Sequence, residues 1–183
     1  GNLTDSDSLV DVDMFGIYIP DLSLFSASTV SFNTLLLDTQ LFLFDQNGYG
    51  VIANDDTGNF EFNATIPAGA VSGSPGLYYL AVAQFAEKPI SASGLIFPDQ
   101  FTTPWVWPDE IVGPTGPGGS DAIVGWNTDA YSDPVSAYEI ILNGANFAPV
   151  PEPSSLLIFG SLAGIALACF RRRSGAHSGL ILF

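Results

Sequence analysis

Apolar and polar residues alternate along the first half of the chain with the period of two that a half-buried β-strand requires. The alternation starts at Val10 and runs through Val12, Met14 or Phe15, Ile17 and Ile19 until Pro20-Asp21 stops it. A second strand is expected over 28–32. The third is the clearest, Thr39-Gln40-Leu41-Phe42-Leu43-Phe44-Asp45. Asn47-Gly48 follows at once and supplies the positive φ of a tight hairpin, so this strand should turn directly into Val51-Ile52-Ala53. Asn54 to Asn59 is a further polar turn, and Phe60 to Ile66 alternates again. Leu77 to Phe85 is a nearly continuous apolar run, as expected of a strand covered on both faces.

Beyond it the pattern breaks. Phe97 to Asn127 holds Pro98, Pro104, Pro108, Pro114 and Pro117, the pair Gly118-Gly119, and the exposed-looking Trp105, Trp107 and Trp126. So long an irregular segment is expected to carry function. One more strand is expected over Ala137 to Gly144, with Ala145 to Val150 as a linker. Short β-rich runs between Gly, Asn and Asp turns predict an all-β body over 1–147, an antiparallel jelly-roll-like β-sandwich. Ser154 to Phe170 then lacks any charge and is followed by Arg171, Arg172 and Arg173. That layout predicts a single C-terminal transmembrane α-helix over 154–170 with a basic cytoplasmic tail over 171–183.

Composition narrows what such a body can do. Four Lys and Arg stand against 19 Asp and Glu, a formal net charge of -15, and Lys88 is the one base of 1–150. That surface repels phosphate backbones, which excludes nucleic acid as a partner, and it attracts divalent cations. Calcium takes about six to eight oxygen ligands, which Asp- and Asn-rich turns deliver. The candidate ligands are Asp11 and Asp13, two apart on one strand face, Asp45 and Asn47 in one turn, and Asp55 and Asp56 in the next. The same residue types are also ordinary turn formers. Trp105 and Trp107, two apart, would face one side of an extended segment and stack on carbohydrate, or else fill an open end of the fold as core. The single histidine, His177, and the single cysteine, Cys169, lie beyond residue 150. The body therefore holds no Ser-His or Cys-His pair, and no enzyme is expected.

The order of features near the end resembles a known address label. Val150-Pro151-Glu152-Pro153, the apolar run to Phe170 and the triple arginine closely resemble the PEP-CTERM sorting signal of Gram-negative bacteria. The resemblance implies an exported protein, held in the inner membrane until an exosortase, a membrane-embedded cysteine transpeptidase, processes it near Pro151-Glu152-Pro153. It implies delivery to the cell surface or extracellular matrix, with a structural or adhesive role in exopolysaccharide and biofilm. The alternative is a calcium- or carbohydrate-binding module of a secreted protein. Each residue before a proline is pushed out of the helical region, so the motif should be read as an extended peptide. Export also calls for a signal peptide ahead of Gly1, because Gly1-Asn2-Leu3-Thr4-Asp5 has neither a basic start nor an apolar run. Members of that family usually end soon after the basic cluster, whereas Ser174 to Phe183 continue here. A second resemblance runs over about 3–85. Asp11-Val12-Asp13 with Phe15, Asp38 to Gly48, Ala53 to Asp56 and Pro75 to Val82 look like the bacterial pre-peptidase C-terminal domain, a jelly-roll-like β-sandwich.

Overall fold

The computed structural model describes residues 1–3, 11–31, 38–57, 62–99, 111–128 and 136–148, all within the unit Gly1–Ala148. Every regular element among them is a strand: β1 (Asn2–Leu3), β2 (Asp13–Ile19), β3 (Ser26–Ser31), β4 (Thr39–Asp45), β5 (Gly50–Asn54), β6 (Thr65–Ile66), β7 (Gly76–Gln84), β8 (Glu87–Ser91), β9 (Gly94–Leu95), β10 (Ile123–Thr128), β11 (Ser136–Asn143) and β12 (Asn146–Phe147). They pair antiparallel in a five-stranded sheet, β12-β2-β7-β4-β5, a four-stranded sheet, β1-β11-β3-β6, and a three-stranded sheet, β10-β8-β9. Among the described residues no helix is long and apolar enough to cross a membrane, and 154–170 lies outside them.

The period of two in β4 explains the layering. Leu41 and Leu43 point to one face, where they meet Ile17, Ile19, Ile52, Leu80 and Val82. The opposite wall of that core is Leu3, Phe25, Ala27, Ile66 and Tyr138, from the four-stranded sheet and its approaches. Phe42 and Phe44 point to the other face and pack with Ala81, Ala83, Ile96 and Phe97, against Ile123 and Trp126 of β10. Because both faces are covered, β4 is buried at six successive positions. An apolar strand without exposed alternate residues is the expected result of covering both faces.

Local signals placed the central strands. β4 spans the expected residues, and its hairpin into β5 turns at Gly48, whose φ is 84°. The first strand begins at Asp13 rather than Val10, and the second at Ser26 rather than residue 28. Larger differences lie in the second half. The irregular stretch expected from Phe97 to Asn127 contains most of β10, which pairs with β8. Glu87, Lys88 and Pro89 are poor strand formers in isolation, and the pairing shifts register between Ile123 and Gly125, so no local pattern marks either strand. Trp126 is half-buried rather than exposed, its ring edge-on to Phe42 at 5.4 Å and to Phe44 at 6.3 Å. The expected linker over Ala145 to Val150 contributes β12, paired with Tyr18 and Ile17 of β2. The chain enters the third sheet through the turn Phe85-Ala86, where Ala86 takes a φ of 73°. That left-handed conformation is rare for a residue with a Cβ, and it folds β8 back over the outer face of the sheet β7 has just left.

Candidate functional site

Antiparallel pairing brings the starts of β2 and β4 beside the ends of β7 and β5. Acidic residues gather along this edge. Asp38 precedes β4, and its carbonyl accepts the Phe85 N–H at 3.0 Å. Thr39 donates its N–H to the Phe62 carbonyl at 3.1 Å, and its hydroxyl lies 2.6 Å from that of buried Thr29. Asn54 closes β5 by accepting the Thr65 N–H at 2.7 Å and donating to the Asp56 carbonyl at 3.0 Å. These anchors hold Asp38, Asp55 and Asp56 so that one carboxylate oxygen from each lies within 4.8 Å of the others. Asp55 and Asp56 are only 3% and 8% exposed. Gln40, at 2%, is buried one strand position beyond Thr39, and its Oε1 has no hydrogen-bond partner; nor have Gln84 Nε2 and Glu87 Oε2.

The other sequence-predicted ligands lie apart from this group. Asp45 and Asn47 are at the opposite end of β4, roughly 20 Å away at about 3.3 Å per residue. There Asp45 Oδ1 accepts the N–H groups of Asn47 at 2.8 Å and Tyr49 at 2.9 Å, which makes it the organiser of the hairpin turn. Asp11 and Asp13 are at the acidic edge but face other partners. The Asp11 N–H donates to Glu87 Oε1 at 3.1 Å, and the Asp13 carboxylate accepts the Tyr138 hydroxyl at 2.5 Å. Burial pushes the Glu87 carboxyl up to about 7; N–H donors from Asp11 and Gln84 oppose this and the Asp11 charge adds to it. Burial also raises the Tyr138 phenol, as do its hydrogen bond to Asp13 and the charges of Asp13 and Asp11. Trp105 and Trp107 lie outside the described residues, as do Pro151, Glu152, Pro153 and Arg171 to Arg173. Sequence reading missed Asp38 and Gln40, which belong to a strand pattern rather than to a polar turn. The only local hint was their spacing of two, which puts both on one face of the chain entering β4.

An all-β body carrying an acidic edge and lacking both histidine and cysteine offers oxygen ligands, without an imidazole or a thiolate to act as base or nucleophile. The class of the protein is set beyond that body. Residues 149–173 match the family model of the PEP-CTERM protein-sorting motif. The matched stretch takes in Pro151-Glu152-Pro153, the apolar run and the three arginines. The motif implies export with a C-terminal membrane-anchoring signal, and an exosortase as the processing partner. No curated protein and no solved structure matches the chain.

Proposed function

We propose that the chain is an exported, non-enzymatic protein of the cell surface or extracellular matrix, with a structural or adhesive role in exopolysaccharide and biofilm. The sorting motif at 149–173 carries this reading. In it, 154–170 stops in the inner membrane with Arg171 to Arg173 on the cytoplasmic side, and the exosortase acts near Pro151-Glu152-Pro153. The cargo is a jelly-roll-like β-sandwich of the pre-peptidase C-terminal kind. Its support is a pair of antiparallel sheets that share the Leu41, Leu43 and Leu80 core. The absence of histidine and cysteine from 1–150 supports a non-enzymatic role, and Trp105 and Trp107 suit contact with sugar rings.

The test replaces Pro151, Glu152 and Pro153 together by alanine in a host that carries an exosortase. Processing should stop and the protein should stay in the inner-membrane fraction. Unchanged processing and surface delivery would remove the reading. A broad hydrolase screen of the purified protein should give no turnover, and activity lost on substituting a body carboxylate would overturn the non-enzymatic part.

A further inference from the structure

We infer that Asp38, Asp55, Asp56 and Gln40 form a binding site for one calcium ion at the edge of the five-stranded sheet. Three carboxylate oxygens stand within 4.8 Å of one another, two of them from residues that are almost fully buried. Oxygens so close can share one Ca²⁺ at about 2.4 Å, and Ca²⁺ tolerates the irregular geometry of ligands from separate segments better than Mg²⁺, which demands a near-ideal octahedron and dehydrates reluctantly. Gln40 supplies an independent observation. Its amide oxygen is an acceptor with no donor, in a side chain 2% exposed. It shares a face of the chain with Asp38, two residues earlier, and β5 ends at Asn54, opposite Leu41, so Asp55 leaves that strand next to Gln40. With its oxygen toward the carboxylates, the Gln40 amide is completed by a cation or by water bound to one. The Asn54 and Thr39 anchors fix the ligands to both main sheets, so a bound ion would tie β4, β5 and β6 together.

The full chain in detergent micelles, stripped with EDTA, is titrated with CaCl₂ or MgCl₂ by calorimetry and followed by thermal unfolding. One calcium should bind with a Kd below about 1 mM, and 10 mM CaCl₂ should raise Tm by roughly 3–6 °C, with a clearly smaller rise for magnesium. Asp55→Asn and Gln40→Leu should each weaken calcium binding at least about tenfold. Gln40→Glu, which keeps an oxygen, should retain it, and Asp45→Asn should leave it unchanged. A wild-type chain with neither binding heat nor a Tm rise overturns the site, whatever the variants do. So does a calcium response that survives intact in both Asp55→Asn and Gln40→Leu, or one matched in full by magnesium. Sorting does not depend on this ion, so a negative result here leaves the sorting reading untouched.

Discussion

At one end of β4, Asp45 gives its carboxylate to the N–H groups of Asn47 and Tyr49 and so closes a hairpin. At the other end, Asp38 brings its carboxylate to those of Asp55 and Asp56. Both ends are Asp- and Asn-rich, and a reading by composition treats them alike. What separates them is where the surrounding chain comes from. The hairpin curls the amides of its own turn around Asp45, whereas at the far end the segment entering β4 meets the segment leaving β5. An acid among unengaged amides becomes part of a turn. Acids that meet across strands become potential ligands.

The largest expected effect tests whether one scaffold supports both ends. Phe44 is fully buried and touches Phe97 and Trp126, so Phe44→Ala should cost about 3–5 kcal/mol in denaturant unfolding. A cost below about 1 kcal/mol would mean that the third sheet contributes little to holding β4.

Glu87 tests the acidic end through pH. Its folded carboxyl sits at about 7 against an ordinary 4.5, so the folded state binds the proton more tightly than the unfolded chain does. That contribution is fully present below pH 4.5 and is lost as pH rises through 7. With EDTA present, the stability of Glu87→Gln relative to wild type should therefore rise by roughly 2 kcal/mol between pH 4.5 and pH 8. Parallel pH profiles for the two proteins would contradict this.

The smallest effect belongs to the turn. Asp45→Ala removes two amide hydrogen bonds from a partly exposed site and should cost about 1 kcal/mol, read as a lower midpoint in urea. The calcium-induced Tm rise should survive it. If that rise disappears as well, the two ends are coupled through β4 and the contrast between them fails.

Much of the central architecture was legible locally. Thr39 to Asp45 reads as a strand with the observed boundaries, because β-branched, aromatic and leucine residues end at an Asn47-Gly48 turn whose φ only glycine adopts without strain. β8 and β10 were not legible. Glu87, Lys88 and Pro89 make a strand only because the outer face of the five-stranded sheet, with Phe42, Phe44 and Ala81, needs covering. Trp126 likewise looked exposed until that face was known. Of the candidate ligands, Asp55 and Asp56 could be read from a polar turn, while Asp38 and Gln40 looked like the ends of a strand.

The sequence by itself determined the address and the grammar: a sorting motif at 149–173, a body with almost no bases, and the alternation that sets which side chains of β4 share a face. These are local properties, carried by residues a few positions apart. Only the tertiary structure decided which acids meet. Antiparallel register sets the start of β4 beside the end of β5, and buried Asn54 pins that end to β6. Convergence of that kind depends on pairings between distant segments, which no window of neighbouring residues contains.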